Sequence, residues 1–246
     1  MVFFWGLRGI FLLTGSAPAA IVAFVMSVLK TSVGRKLAMA FTGQFLLMFL
    51  LGHAAGNSTL WVGAINAYAA HLHALPPLVW VFRLTLLGLV SLHIWQGIAL
   101  TLENRAAGGG GYAVTAYRSA TIGSRTMIWS GLAIAGFLIY HLLHLTVQVL
   151  HPEAAAATHA DALGRPDVHG MLVAGFRNAV TAAVYGVGMF ALGLHLFHGI
   201  ASSVQTFGLN GPRSFPWLER AGVSLALLVA AAFIAIPAGI LAGLVR

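Results

Sequence analysis

The chain has 246 residues, of which 59% are hydrophobic and only 7% are charged. Soluble domains carry about 25% charged residues, so this composition excludes an ordinary water-soluble fold and indicates the lipid bilayer as the solvent. The net charge of +8 does not indicate nucleic-acid binding, because the Lys and Arg residues are spread over short loops, as membrane topology requires. Cysteine is absent, which excludes disulfides, thiolate-ligated zinc and iron–sulfur clusters on this polypeptide.

Residues 1–29 form an apolar N-terminal extension whose sequence is open to several interpretations. The stretch GIFLLTGSAPAAIVAFVMSVL is compatible with a sixth span, an interfacial helix, a signal-like segment or an upstream start that the working protein lacks. Pro18 near its middle disfavours an unbroken helix. The status of this extension stays open, and the membrane domain is assigned to residues 30–246.

Five apolar spans follow, each long enough to cross about 30 Å of hydrocarbon. They cover approximately 34–56, 77–102, 124–150, 174–207 and 217–245. Pro76 and Pro77 suit the first turn of the second helix, and the glycine-rich stretch 106–112 is typical of a flexible connector. The predicted fold class is therefore all-α, an integral membrane bundle of five transmembrane helices.

The positions of Lys and Arg predict how this bundle is oriented. The loops on the side that holds the start of the first span contain Lys30, Arg35, Lys36, Arg105, Arg118, Arg125, Arg213 and Arg220. The opposite side holds Arg165, Arg177 and the terminal Arg246. By the positive-inside rule, the first side faces the cytoplasm.

The histidines fall into two groups. Those in the outer loops are expected to be solvated: His71, His73, His151, His159 and His169. The others lie inside the spans, where ionisable groups are rare and commonly mark function: His53, His93, His141, His144, His195 and His198. An interhelical hydrogen bond explains a lone intramembrane histidine equally well. Here four consecutive spans carry histidine, and a bundle that holds two haems needs one axial imidazole from each of four helices.

The helical rise places one set of these histidines deep in the membrane. Measured from the cytoplasmic ends at ~1.5 Å per residue, His53 on the first helix lies about 27 Å deep. On the third helix, His141 and His144 lie about 24 and 28 Å deep. The first and third helices therefore share a deep layer, but the arithmetic does not separate His141 from His144.

A shallower layer joins the second and fourth helices. His93 and His198 both lie about 15 Å from their cytoplasmic ends, and His195 lies about 20 Å deep. The arithmetic thus favours His198 as the partner of His93. Two bis-histidine haems, roughly 10 Å apart along the membrane normal, are predicted from the two layers.

Other polar residues are candidates for contacts with haem propionates. Arg83, about two turns inside the second helix, either snorkels to the interface or pairs with a propionate of the outer haem. Arg125, preceded by Ser124, stands at the start of the third helix and is the equivalent candidate for the inner haem. Gln44 and Gln205 are further candidates for propionate or backbone contacts.

Three stretches carry a family resemblance: SVGRKLAMAFTGQFLLMFLLGHAAGN, SRTMIWSGLAIAGFLIYHLLHL and HLFHGIASSVQTFGLNG. Together they resemble the single-subunit, five-helix, di-haem cytochrome b membrane anchor of succinate dehydrogenase and fumarate reductase. The resemblance covers about residues 30–245. It implies one axial ligand from each of the first four helices: His53, His93, His141 and His198.

The resemblance also implies how these ligands pair and what lies beside them. His93 with His198 would hold the haem near the cytoplasmic partner, and His53 with His141 would hold the outer one. His144 and His195 become neighbours that hydrogen-bond propionates or backbone.

The activity implied by the resemblance is electron transfer between an iron–sulfur subunit and a membrane quinone, with menaquinone favoured. A flavoprotein subunit would hold the succinate or fumarate site, and the loops 103–125 and 208–216 would face the iron–sulfur subunit. Independently, a chain with no cysteine and no soluble domain requires such companions. The quinone is expected near the outer end of the first helix, and the protein in the inner (cytoplasmic) membrane of a bacterium.

One departure from the family concerns protons. Some members that reduce fumarate with menaquinol use a glutamate in the first outer loop and another two residues before the fourth-helix ligand. Here the loop 57–76 has no acid, and Leu196 stands at the second position, so that proton route is not expected. His71, His73 or water near Asn57 are the candidates for proton exchange at the outer side.

Two alternatives to this function come from different classes of protein. The nearer one is a di-haem cytochrome b anchor of nitrate reductase, formate dehydrogenase or hydrogenase, which shares the chemistry but has other partners. The more distant one is a membrane transporter or structural protein whose histidines serve packing or proton transfer.

Overall fold

The computed structural model describes residues 29–107 and 122–246, together with the single residues 23 and 27. Within these ranges every regular element is helical. The rest of the N-terminal extension 1–29, and the predicted connector from residue 108 onwards, lie outside the described residues.

In the described part of the chain, five helices are long and apolar enough to cross a membrane, as the sequence predicts. They are α1 (Ser32–Ser58), α3 (Pro76–Ala107), α4 (Ile122–His141), α6 (Ala179–Thr206) and α7 (Phe215–Leu241). The shorter elements are α2 (Ile65–Leu72), α5 (Val168–Arg177), the 3₁₀ turns Thr59–Val62 and Pro152–Ala154, and a π-helical turn at Leu142–Thr146. We call the end that carries α2 and α5 the outer end, and the opposite end the inner end.

Side-chain caps fix where two of the long helices begin. Thr31 accepts a hydrogen bond from the backbone N–H of Gly34 at 3.0 Å at the start of α1. Asn178 accepts from the backbone N–H groups of Val180 and Thr181 at 2.9 and 3.3 Å. Because Asn178 caps a new helix, the fourth span begins at residue 179 rather than near residue 174 as the sequence predicted.

The third span ends earlier than the sequence predicted. The chain leaves the α conformation after His141 and makes one wide turn, in which the Val147 N–H donates to the Leu142 carbonyl at 2.7 Å. Gln148 then takes a φ of 61°, a left-handed conformation that is uncommon for a residue other than glycine. The span therefore stops at Thr146 instead of residue 150.

The helix α6 is the centre of the bundle. It packs against α1, α4 and α7, and its buried side chains Met189, Leu192 and Leu196 form a core with Leu47 of α1 and Val229 of α7. In a water-soluble protein, burial of such a side chain stabilises the fold by about 1.5–3 kcal/mol. In a bilayer the surrounding lipid is equally apolar, so the stabilisation comes from close packing instead.

The helix α3 lies at the edge of the bundle. It packs mainly against α1 and leaves Trp80, Leu84, Trp95 and many other large side chains exposed. An all-round apolar helix of this kind is suited to lipid contact.

The outer end is closed by α2, α5 and the loop between α4 and α5. The buried amide of Asn66 donates to the carboxylates of Asp167 and Asp161 at 3.0 and 3.3 Å and accepts from the His169 N–H at 2.8 Å. Arg165 donates to Asp161 at 2.8 Å, and this guanidinium holds the pKa of that carboxyl well below its usual range. We call these five residues the outer clasp.

Candidate functional site: two imidazole pairs

The outer pair of imidazoles joins α1 to α4. The ring centres of His53 and His141 lie 6.0 Å apart, with their planes at 86°. Phe49 and Phe233 pack against His53 at 5.3 and 5.6 Å, and Phe137 lies 5.9 Å from His141. Both histidines are thus held inside the bundle, among aromatic side chains.

The inner pair joins α3 to α6. The ring centres of His93 and His195 lie 6.1 Å apart, with their planes at 72°. The structure therefore brings His195, and not the expected His198, opposite His93. His198 is half-buried one turn closer to the inner end.

The difference arises from the helix ends that the depth estimate used. The sequence estimate took residues 103 and 208 as inner ends, whereas α3 is helical to at least Ala107, the last described residue before the connector, and α6 stops at Thr206. From these bounds, His93 is at least 14 residues deep (107 minus 93), and His195 is 11 (206 minus 195). His198 is 8 residues deep (206 minus 198), so His195 is the closer match.

A threonine hydroxyl contacts one ring nitrogen of His93. The Thr42 hydroxyl lies 2.8 and 3.0 Å from the backbone carbonyls of Ala38 and Met39, and 3.0 Å from Nδ1 of His93. When its single hydrogen is donated to one of these carbonyls, the hydroxyl accepts from Nδ1 of His93. In that arrangement Nδ1 is protonated and Nε2 keeps a free lone pair.

Ser130 has the corresponding position beside His195. Its hydroxyl lies 3.1 Å from the Met127 carbonyl and 3.3 Å from Nδ1 of His195, and when it donates to the carbonyl it accepts from Nδ1. Glycines give both rings room: a Cβ on Gly43 would lie 3.2 Å from Cε1 of His93, and one on Gly131 would lie 3.3 Å from Cε1 of His195.

These parallels reflect a repeat in the chain. Residues 39–53, MAFTGQFLLMFLLGH, and 127–141, MIWSGLAIAGFLIYH, place a methionine, a hydroxyl residue, a glycine and a histidine at matching positions. The partner helices repeat a histidine followed four residues later by glycine, in 93–97, HIWQG, and 195–199, HLFHG. In each half the methionine methyl lies near that glycine's Cβ position, at 3.4 and 3.7 Å. Each imidazole pair thus joins equivalent residues of two similar halves.

The repeat is a sequence signal that the depth arithmetic did not use, and it also pairs His93 with His195. At matching positions, His195 corresponds to His93, whereas His198 corresponds to Gln96. Thr42 and Ser130 were likewise identifiable from the repeat, because each stands beside the glycine that faces a ring.

The outer pair has a different hydroxyl partner. The Tyr185 hydroxyl on α6 lies 3.3 Å from Nδ1 of His141 and 3.0 Å from Nδ1 of His144. His144 is almost completely buried, and the π-helical turn that begins after His141 carries it. Turns of this kind occur frequently at functional sites.

The separation of the ring centres in each pair matches the spacing of two imidazoles that bind one metal ion. Two metal–nitrogen bonds of about 2 Å, plus roughly 1 Å from each nitrogen to its ring centre, place two axial imidazoles about 6 Å apart. The observed separations are 6.0 and 6.1 Å. At His53 the Asn57 amide donates to Nε2 at 3.2 Å, so binding iron through that nitrogen requires the amide to move or the ring to turn.

The predicted propionate contacts have varied surroundings. Arg83 is exposed and lies over the Trp80 ring at 5.2 Å, which fits an interfacial anchor. Gln44 donates to Ser203 and ties α1 to α6. Arg125 is exposed at the start of α4, and the side chain of Ser124 lies outside the described residues.

One cation at the inner end was not singled out by the sequence. Arg35 of α1 forms an ion pair with Glu103 of α3, and its buried Nε has no hydrogen-bond partner within the described part of the chain. A buried donor of this kind is costly unless an acceptor is supplied.

Comparison with known proteins adds no identification. No family model, curated protein or solved structure gives a significant match to this chain.

Proposed function

We propose that this chain is the membrane anchor and electron-transfer subunit of a succinate dehydrogenase or fumarate reductase, with two b haems. The single observation that supports the proposal is the pair of imidazole–imidazole separations, 6.0 and 6.1 Å, at two places in one bundle. His53 with His141 would hold the outer haem. His93 with His195 would hold the inner one, so His195 takes the place expected for His198.

When bound, the haems supply two one-electron carriers in series between the inner face and the outer half of the bundle. The protein's own residues hold and tune them. Thr42 and Ser130 keep the Nε2 lone pairs of the inner imidazoles available, and such hydrogen bonds to the second nitrogen raise the basicity of a metal-bound imidazole. At the outer pair, Phe49, Phe137 and Phe233 pack against the imidazoles and would keep water away from the haem, which also affects its potential.

Arg35 is the proposed partner of an inner propionate. Its buried Nε lacks an acceptor among the described residues, and a carboxylate would supply a charge-assisted one. It precedes Thr42, which contacts His93, by seven residues, so it lies about 10 Å, or two helical turns, closer to the inner end on the same helix.

The partners follow from what the chain lacks and where its charge lies. It has no cysteine with which to bind an iron–sulfur cluster, so in this proposal a separate iron–sulfur protein, reduced by a flavoprotein, delivers the electrons from succinate. We place that docking surface at the inner end, where Lys30, Lys36, Arg105 and Arg213 lie on the predicted cytoplasmic side. A quinone, with menaquinone favoured by the family resemblance, exchanges electrons near the outer end of α1.

This arrangement makes the membrane potential part of the reaction. Moving one electron across the whole membrane works with or against about 2.3 kcal/mol per 100 mV. The direction of physiological electron flow therefore decides whether the reaction consumes or contributes to that potential.

The experiment that tests the proposal starts from the native membrane complex. Purification through a tag on this chain, followed by identification of the associated subunits, should yield an iron–sulfur protein and a flavoprotein. The reduced-minus-oxidised spectrum and the extracted pigment should give two b haems per chain. Association with nitrate reductase, formate dehydrogenase or hydrogenase subunits would assign the chain to another complex. A spectrum without haem would rule out the proposal.

A further inference from the structure

The histidines at the outer end of α4 share one hydrogen-bonding partner. The Tyr185 hydroxyl is 3.3 Å from Nδ1 of His141 and 3.0 Å from Nδ1 of His144. The ring of Tyr185 also packs against both, with ring centres 5.8 and 5.6 Å apart. Tyr185 itself is buried, so it has no water to satisfy its hydroxyl in place of these contacts.

A phenol hydroxyl has a single hydrogen, and this restricts both imidazoles at once. Tyr185 can donate to one Nδ1 only, and it satisfies the other contact only by accepting a hydrogen from that Nδ1. All these bonds are made when one histidine carries its proton on Nδ1 and the other carries it on Nε2. Any other neutral arrangement leaves a buried donor or acceptor unpaired, which costs about 1–3 kcal/mol.

The two tautomers have opposite consequences for metal binding. A histidine that is protonated on Nδ1 has a free lone pair on Nε2 for a metal. A histidine protonated on Nε2 has its only lone pair on Nδ1, where the Tyr185 hydroxyl occupies it. The shared hydroxyl therefore leaves one of the two histidines able to bind iron through Nε2.

The packing decides which histidine this is. His141 has its ring 6.0 Å from His53, across the outer pair. His144 instead has Nε2 within 2.8 Å of where a Cβ on Gly175 would lie, and its ring packs edge-on against Phe176 at 5.9 Å. Its side chain is thus directed at α5 rather than at His53.

From this geometry we infer that Tyr185 is a positioning residue that selects His141 over His144 as the outer ligand. It does so by holding His141 in the Nδ1–H tautomer and His144 in the Nε2–H tautomer, without any net change in protonation. The claim that His141 binds iron rests on the proposed function, whereas the coupling of the two tautomers is independent of any cofactor.

The test is solid-state NMR of the full-length protein in lipid, with isotope-labelled histidine rings and with any iron kept in the diamagnetic reduced state. Ring nitrogen and carbon shifts distinguish the two tautomers. The signal that disappears in His144→Gln identifies His144, and we expect it to be the Nε2–H form in the unsubstituted protein. Finding the Nδ1–H form there would overturn the inference, even if no Tyr185 variant folds.

Variants of two neighbouring tyrosines then test whether Tyr185 determines the tautomer of His144. Tyr185→Phe should shift the His144 signal, since its Nδ1 loses the hydroxyl donor. Tyr140→Phe is the matched control, because this ring also packs against His144, at 5.8 Å, and its loss of a hydroxyl should leave the signal unchanged. An unchanged His144 signal in a folded Tyr185→Phe protein would contradict the role of Tyr185.

Haem content measured on the same samples separates the two proposals. Absence of haem with the expected tautomers would defeat the proposed function and leave the selection by Tyr185 intact. Two haems together with His144 in the Nδ1–H form would support the proposed function and contradict the selection by Tyr185. In a haem-containing Tyr185→Phe protein, we expect the potential of one haem to rise, because the hydrogen bond that increases the basicity of His141 is lost.

Discussion

The imidazole of His53 faces that of His141 at 6.0 Å between ring centres, with the two planes nearly perpendicular. Replacing either residue by alanine should remove half of the bound haem, because each iron needs both axial ligands. His144→Ala should keep both haems. Pigment extraction per chain measures the outcome, and a full haem complement in His141→Ala would show that this pairing is wrong.

The choice between His195 and His198 is tested by the same assay. His195→Ala should lose the haem shared with His93, since His195 is the residue whose ring lies 6.1 Å from it. His198→Ala should retain two haems. The opposite result would restore the ligand set that the family resemblance implies.

The Thr42 hydroxyl should affect the strength of the inner site. Thr42→Val keeps the size of the side chain but removes the acceptor for Nδ1 of His93, so we expect haem to be bound about 10–100-fold more weakly. The potential of the remaining inner haem should rise. Thr101→Val is the control, because the Thr101 hydroxyl donates to the Gly97 carbonyl of its own helix at 2.7 Å and, among the described residues, makes no contact with a histidine. Equal effects of the two variants would show that His93 does not depend on Thr42.

Gly43 tests whether the inner site needs room. A Cβ there would lie 3.2 Å from Cε1 of His93, whereas one on Gly52 would meet nothing within 4 Å. Gly43→Val should therefore displace the ring and destabilise the packed helices by about 1–3 kcal/mol, with loss of the inner haem. Gly52→Val should leave the absorption of both haems unchanged. Loss of haem in both variants would point to a general effect of valine on α1.

The outer clasp should respond to pH through Asp161. Hydrogen bonds from Arg165 lower the pKa of this carboxyl, so its contribution to stability is present above the ordinary aspartate pKa of about 3.9 and declines as pH falls below it. Asp161→Asn should speed hydrogen exchange in the outer loop at pH 7, and the effect should shrink as pH falls below about 3.9, because the contribution disappears fully only when pH also falls through the lowered pKa of the folded state. Glu153→Gln is the control, because its contact with His151 is exposed. A difference that stays constant or grows as pH falls through this range would exclude this cause.

Asn66 should matter more than any single charge of the clasp. Its buried amide makes three hydrogen bonds to two segments of the chain, and Asn66→Ala leaves the His169 N–H without its acceptor. We expect a loss of roughly 1–3 kcal/mol in the stability of the outer end. Thermal unfolding in detergent measures the change, and a variant as stable as the unsubstituted chain would refute the importance of Asn66.

Much of the architecture was predictable because the relevant signals are local. Runs of about twenty apolar residues are set by bilayer thickness, and they predicted five spans that the structure confirms. The restriction of histidine to the first four spans predicted where the candidate site lies. The break at Asn178 was missed, because a single capping side chain inside a uniformly apolar stretch leaves hydropathy unchanged.

The sequence by itself determined the membrane character, the five spans after residue 30 and the set of histidines inside them, since composition and length decide these along one helix at a time. Only the tertiary structure decided that His195 faces His93 and that Tyr185 reaches both His141 and His144. Such choices differ by three residues on one helix, or about 4.5 Å, and depend on where neighbouring helices end and how they turn against each other.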